Sequence, residues 1–484
     1  METHYVDLHC HPSLKPYSKS FKYPPTKINE LDGNRKNSIW HYSPPTVLEK
    51  FMNRLITVTK FTQTDMSALA RSGSKVVVIS LYPFEKHFLS KRVLGWKGLT
   101  DAMVNLATSI SQKRIDHVIR HRDYYEDLVA EYDFYKQLHN QVHRIDGIAY
   151  TYRLIKSFSE IESNAQHETE NKKIINIVVT IEGGHSFNTG LDMDKNSGDR
   201  EEVIANVKKI KSWVHSPLFI TFAHHFYNEL CGHARSISIR AIRKNQDRGL
   251  DTGFTDLGEE VLKLLLDNTD GKRIPIDVKH MSTMSRKTYY QLLDTEYRAE
   301  GIPIIASHGC ANGRRSLSQS EATDYPDRVK YFNNIDINFY DDELIRIAKS
   351  NGLFGIQLDE RRIGSKKAIR KSKVLFVYKR KQLRKKSLLV WRQIEHVAEV
   401  LDAEGTFCWG IQCIGSDFDG IVNPLKGIWT AENIKDLGEE LLKHAVSYME
   451  SNRQNFNSFN RITPQSIVER VLRLNTMDFI KRYY

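Results

Sequence analysis

Residues 174–182 read IINIVVTIE, a run of mostly β-branched apolar residues that ends on a carboxylate and is followed by Gly183 and Gly184. A strand with one wet face alternates apolar and polar residues. A near-continuous apolar run is buried on both faces, which is the mark of a parallel sheet. The same device recurs along the chain at Tyr5–His9 (YVDLH), Lys75–Ser80 (KVVVIS), Leu218–His224 (LFITFAH), Ile274–His280 (IPIDVKH), Ile302–His308 (IPIIASH), Leu353–Leu358 (LFGIQL) and Ile411–Asp417 (IQCIGSD). Helical patterns separate most of these runs. Asp256–Asp267 (DLGEEVLKLLLD) and Asp341–Ser350 (DDELIRIAKS) open with acids and carry apolar residues at helical spacing. Eight β–α units predict a (β/α)8 barrel. The expected organisation is one barrel unit over residues 1–484, with insertions near 15–50 and 361–386.

The strand ends then acquire meaning. Six of the eight runs finish on His, Glu or Asp. In a (β/α)8 barrel all strand C-termini meet at one mouth, where chemistry is done, so residues hundreds of positions apart face one another there.

Each end residue has a functional and a plain reading. His9 and His11 flank Cys10. On a strand, positions i and i+2 share a side, so the two imidazoles can form half of a metal site; in isolation the pair is equally well two surface histidines. Glu182 follows a run so apolar that burying it unpaired would be costly. It suits a carboxylate bridging two ions, or else a strand-end acid at the surface. The two glycines after it let backbone approach closely. His280 and His308 repeat one pattern on consecutive runs and can share an ion. Asp417 can ligate, move a proton, or both, whereas Asp419 reads as a turn or cap residue. His224 is either a donor to a developing oxyanion or a structural histidine. In the loop after His308, Arg314 and Arg315 offer bidentate capture of a substrate carboxylate, or are simply solvated.

Composition sets outer bounds. The chain has 484 residues, 40% hydrophobic and 27% charged, which excludes wholesale disorder, collagen and coiled coil. The net charge of +12 permits a polyanionic partner without demanding one. Five cysteines, odd in number and without a CxxC, argue against a disulfide framework and for a reducing compartment. No signal pattern opens the chain and no run reaches the ~18–20 apolar residues of a membrane span. A cytoplasmic protein with no membrane partner is expected.

These segments together resemble the membrane dipeptidase family (renal dipeptidase-like, peptidase M19) of the amidohydrolase superfamily. DLHCHP, TIEGGHSF, FITFAH, TDLGEEVLKLLLDN before IDVKHMS, IPIIASHG and IGSDFDGIV match in order, across residues 5 to about 480. EGGHS and SDFDG are the specific motifs. The resemblance implies a metallohydrolase of dipeptides or similar small amides, acting through water activated at two divalent ions, zinc by preference. By motif, His9 and His11 would hold one ion, His280 and His308 the other, and Glu182 would bridge them. His224 would contact the substrate carbonyl, Arg315 its carboxylate, and Asp417 would act as metal ligand and general acid/base.

Two features depart from the family pattern. His11 stands where the family usually has Asp, which makes the site less negative and bears on metal and substrate choice. Arg361–Lys386 (RRIGSKKAIRKSKVLFVYKRKQLRKK) is basic without a single acid. Its plain reading is a solvated insertion; the alternatives are a subunit contact, with a homodimer as the candidate assembly, or a surface for acidic ligands. With only Phe376 and Tyr378 interleaved, nucleic acid is not expected as a partner. The stretch 15–50 can fold over the mouth as a lid. The rival functions are hydrolysis of another small amide or a lactone on the same scaffold, and a non-catalytic polyanion-binding protein.

Overall fold

The structure is a computed structural model and describes residues 4–21, 35–56, 59–89, 105, 109–120, 123–237, 240–318, 330–375 and 378–484. Each of the eight apolar runs contributes a barrel strand. These are β1 (Val6–Cys10), β2 (Val76–Leu81), β5 (Lys172–Glu182), β6 (Ile220–Thr221), β7 (Ile276–Asp277), β8 (Ile305–Gly309), β9 (Leu353–Ile356) and β10 (Gln412–Ile414). Neighbours in this series pair in parallel, β10 returns to β1, and β2 closes on β5 through an unbroken register from Val76↔Asn176 to Leu81↔Ile181. The result is a closed parallel (β/α)8 barrel. All eight strands run the same way, so their C-terminal ends share one rim.

Two further strands extend the sheet, and the sequence reading passes over them. β3 (His143–Ile145) and β4 (Ile148–Leu154) form an antiparallel hairpin, and β4 lies parallel to the first half of β5, from Ala149↔Lys172 to Leu154↔Ile177. The turn between them is Asp146-Gly147, both at positive φ (51° and 85°), the sequence that a two-residue hairpin loop requires.

The helices expected at 256–267 and 341–350 are present as Asp256–Leu266, capped by the Thr255 side chain on Gly258 N, and Asp341–Lys349. An apolar cluster from six barrel strands (Val6, Leu8, Val76, Val78, Val178, Ile305, Leu353 and Cys413) packs with Phe479 and Ile480 of the C-terminal helix Asn475–Tyr483. All five cysteines are buried thiols.

The two predicted insertions are tied to the barrel. Lys15, buried in the helix Leu14–Ser20, pairs with Asp419 at 2.6 Å. Asp419 also accepts Gln63 N and Thr64 N, so it ties the first insertion to the loop after β10. Residues 22–34 of the first insertion lie outside the described residues. In the basic segment, Lys366–Lys371 is a short helix and residues from Lys379 onward open the long helix Lys379–Ala403. Lys386 is buried against Glu360 at 2.7 Å; Phe376 lies outside the described residues. The solvated reading therefore holds for only part of the segment. Among the described residues, no helix is long and apolar enough to cross a membrane.

Candidate metal centre and active site

The rim positions follow from the strands. His9 lies within β1 and His11 just beyond it; Glu182 is the last residue of β5, and His308 lies in β8. His224, His280 and Asp417 each sit three residues past the ends of β6, β7 and β10. There the chain leaves the sheet sharply: His280 and Asp417 adopt φ of 67° and 58°. Such backbone is unfavourable for residues with a Cβ and is concentrated at functional sites. After Glu182 the turn is made by Gly183, at φ 100°, where a Cβ would lie 2.2 Å from His185 Nδ1; a Cβ on Gly184 would lie 2.8 Å from the Phe222 carbonyl oxygen. The glycine pair lets β5 turn tightly against β6.

Six predicted residues converge around a seventh, Glu182. Its Oε2 is 3.1 Å from His11 Nε2. Its Oε1 is 3.5 Å from His9 Nε2, 3.6 Å from both His280 Nε2 and His308 Nε2, and 3.5 Å from His224 Nε2. Asp417 is the other carboxylate, with Oδ1 3.7 Å from His11 Nε2 and Oδ2 3.9 Å from His308 Nε2. All seven side chains are buried. The donor atoms of His9, His11 and Glu182 lie within 4.8 Å of one another, as do those of Glu182, His280 and His308 and those of His9, His308 and Asp417. Glu182 is thus common to two donor sets.

The donor set fits divalent metal. His9 and His11 approach Nε2 to Nε2 at 3.2 Å, and His280 and His308 at 3.3 Å. Two neutral imidazoles cannot aim lone pairs at each other without a shared cation or proton. Burial and neighbouring histidines hold His280 and His308 well below the usual imidazole range, so they present lone pairs. On His11, Nδ1 faces the Ser80 carbonyl oxygen at 3.1 Å, which directs Nε2 inward. Imidazole nitrogen with carboxylate oxygen is the donor chemistry of zinc and its neighbours in the first transition row.

Electrostatics separate the two carboxylates. Burial acts to raise the Glu182 carboxyl, but the surrounding imidazoles outweigh it and hold it well below its ordinary value. Asp417 is pushed up to about 6 by burial and by the charge of Glu182. Its Oδ2 accepts Gln357 Nε2 at 2.6 Å, which fixes the carboxyl plane.

Several groups at the mouth were not singled out from sequence. Glu85, four residues past β2, accepts from His224 Nδ1 at 2.6 Å and from Phe226 N at 3.1 Å. Burial opposes its ionisation, yet the charge of His224 leads the groups that bring it down to about 2. Burial likewise opposes the His224 imidazolium, and Glu182 and Glu85 raise it nonetheless. Gln357 follows β9, and Lys279 precedes His280. Neither Glu85 nor Gln357 closes its apolar run: Glu85 lies five residues past Ser80, and Gln357 stands inside Leu353–Leu358. A cavity of about 80 Å3 opens onto the site, and His224, His280, Asp417, Lys279, Arg361 and Arg362 are among its lining residues. Arg315 is not; it is exposed in the loop after β8, where its carbonyl oxygen accepts Asp342 N.

Comparison with known proteins follows the same lines. The profile of the membrane dipeptidase family (peptidase family M19) matches residues 40–453. Among curated proteins none matches the chain. A crystal structure of a dipeptidase AC, a metallo peptidase of family M19, superposes with a TM-score of 0.50 at 12% identity, covering 100% of this chain and 99% of that one. A metallo peptidase from Rhodobacter sphaeroides, liganded with a phosphinate mimic of the dipeptide L-Ala-D-Ala, gives 0.50 at 12% identity with 99% of each chain covered. Both show the same fold.

Proposed function

The chain belongs to the membrane dipeptidase family, peptidase family M19, and is a metallohydrolase, and from that premise we propose that it hydrolyses dipeptides or similar small amides with two divalent ions, zinc by preference. His9, His11 and Glu182 would hold one ion, and Glu182, His280 and His308 the other, with Asp417 beside both. The observation that carries this reading is the sharing of Glu182 between the two donor sets. When bound, such ions polarise a substrate carbonyl and acidify water.

The chain's own residues supply the rest. His224, fixed through Nδ1 by Glu85, turns Nε2 toward the site and donates to the substrate carbonyl oxygen as charge develops there. Asp417, at about 6, takes a proton from the attacking water and returns it to the leaving amine, an exchange for which a carboxyl near neutrality is suited. Gln357 holds Asp417 Oδ2, so its Oδ1 does the proton transfer. Arg315 is proposed to bind the substrate's C-terminal carboxylate from the loop after β8. The small cavity favours short substrates, and the phosphinate dipeptide mimic bound by the Rhodobacter sphaeroides relative has the chemistry expected of such a ligand.

His11 in place of the family carboxylate keeps a second reading in view, in which the bond cleaved is another small amide or a lactone. Family membership sets aside the non-catalytic alternative. The test is metal analysis of the purified protein together with hydrolysis of a panel of L,L- and L,D-dipeptides. Activity should vanish on chelation and return with zinc. A metal-loaded protein that cleaves a lactone or another amide but no dipeptide would overturn the substrate assignment.

A further inference from the structure

Lys279 is 1% exposed, lines the cavity above the metal centre, and its Nζ has no hydrogen-bond partner among the described residues. A buried ammonium without a partner costs several kcal/mol, and nothing in the packing requires one here. Its position between β7 and the site repeats the strand-end geometry of its neighbours: Lys279 N is held by Asp277 Oδ1 at 3.0 Å, so the backbone is fixed and the side chain is directed by the barrel rather than by solvent. Two more cations line the same cavity from the loop after β9. Arg361 is clamped by Asp359, with Nε 2.9 Å from Oδ2 and Nη2 2.6 Å from the same oxygen. Arg362 reaches across to the Ser236 carbonyl oxygen at 2.5 Å, which leaves its charge unopposed by any acid of its own.

The acids nearby are already committed. Asp359 is taken by Arg361, and Asp277 by Thr221 and Ser307 at 2.5 Å each. Asp417 is held by Gln357. Lys279, Arg361 and Arg362 line the cavity together with Glu182, Asp359 and Asp417; divalent ions would take up the charge of Glu182 and Asp417, which leaves three cations against the carboxylate of Asp359. Like charges gathered in a buried site repel one another unless an anion lies among them.

We propose that Lys279, Arg361 and Arg362 form an anion subsite that selects substrates with an acidic C-terminal residue by taking its side-chain carboxylate, the α-carboxylate being the group proposed for Arg315. The proposal rests on the dipeptidase reading and gives its substrate class. Lys279 and Arg362 are the specificity-determining pair, and Arg361 is oriented by Asp359.

The experiment uses zinc-loaded protein and two measurements. The first is kcat/KM for Ala-Asp against Ala-Asn and for Ala-Glu against Ala-Gln. The acidic member of each pair should be favoured by about tenfold to a hundredfold, the range of a hydrogen bond to a buried charge, and the ratio should fall toward one in Lys279→Met and Arg362→Gln. The second is calorimetric binding of glutarate against its neutral diamide. Glutarate alone should bind, and Lys279→Met with Arg362→Gln should abolish that binding while the zinc content is retained. Lys279→Met should also melt at a higher temperature than the parent, because an unpaired buried charge has been removed; a structural lysine would move the melting point the other way. Equal kcat/KM for acidic and amide dipeptides, or glutarate binding unaltered in the double variant, overturns the subsite. If no dipeptide is cleaved yet glutarate binding is lost in the variants, the dipeptidase reading fails and the subsite stands.

Discussion

Glu85→Gln tests the chemistry assigned to His224 without altering the shape of the site. Glu85 lies 2.6 Å from His224 Nδ1 and also accepts Phe226 N and Tyr82 Oη at 3.1 Å. A glutamine of the same shape keeps one oxygen toward His224 and Tyr82 and sets its NH2 against Phe226 N, so it removes the charge and one accepted hydrogen bond. Burial pushes the Glu85 carboxyl up, and His224 leads the groups that bring it down, from 4.5 to about 2. At 1.36 kcal/mol per decade the net downward shift corresponds to about 3 kcal/mol in favour of the carboxylate, with His224 the leading source. With metal at Glu182, Glu85 is the carboxylate left to hold the proton on His224. Its loss should lower the His224 pKa, because the Glu85 charge is one of the two that raise it. The neutral imidazole then stabilises the developing oxyanion less well, and kcat/KM at pH 7.5 should fall about a hundredfold, within the range for removing one such donor. The assay is the pH profile of kcat/KM on a dipeptide, with zinc content and circular dichroism matched between parent and variant. The alkaline limb, where His224 loses its proton, should move to lower pH. A limb that stays in place with kcat/KM reduced less than threefold would show that His224 works without its charge, and the reasoning fails.

Other perturbations separate the remaining roles. Asp417→Asn should reduce kcat by about 10²- to 10⁴-fold, the contribution of a general acid/base, with metal content retained in elemental analysis; full activity would remove Asp417 from proton transfer. His11→Asp restores a charged ligand and should slow zinc loss to a competing chelator by about tenfold or more, equivalent to 1.4 kcal/mol, and an unchanged rate would mean that position 11 does not ligate. Glu131 is buried beneath β1 and β2, accepts Tyr82 N at 2.7 Å and Ser13 Oγ at 2.5 Å, and is raised by burial to about 7. Its protonated form is favoured in the folded state, so its contribution is complete below pH 4.5 and is lost as pH rises through 7. The loss is about 3 kcal/mol. Glu131→Gln should therefore gain melting temperature relative to the parent between pH 4.5 and 8, and a constant difference across that window would contradict the assignment.

The barrel and the metal-facing residues are legible in the sequence for one reason. A strand buried on both faces must be apolar throughout, so the polar residue that ends it stands out, as at Glu182 and His308. Glu85 and Gln357 pass unnoticed because Tyr82, Pro83 and Phe84 separate Glu85 from its strand, and Gln357 carries no charge. The hairpin β3–β4 is half wet and alternates weakly, so periodicity hides it even though Asp146-Gly147 marks its turn. Arg361 and Arg362 are hidden by company: they open a segment that is basic throughout, and only the path of the chain shows that these two border the cavity, Arg361 from its exposed edge, while Lys366, Lys367 and Arg370 lie on a separate short helix. The same path leaves Arg315 exposed.

Charge links the first motif to the mouth. Histidine at position 11 would bind an ion without neutralising any of its charge, so a donor set with only Glu182 and Asp417 as acids would leave two divalent ions with more positive charge than a set with a third carboxylate. Lys279, Arg361 and Arg362 carry the same sign a few side chains away. Both departures from the family pattern push in one direction: they weaken the hold on metal and deepen the attraction for anions. A site under selection for metal affinity alone would not combine them. An anionic substrate resolves the conflict, because its carboxylates lie between the cations and the metal centre and screen each from the other. The basic balance of the whole chain, +12, adds a field of the same sign that draws such substrates toward the mouth. On the proposed anion subsite, His11 and Lys279 would be two halves of one electrostatic arrangement, in which the substrate would carry the charge missing from the protein.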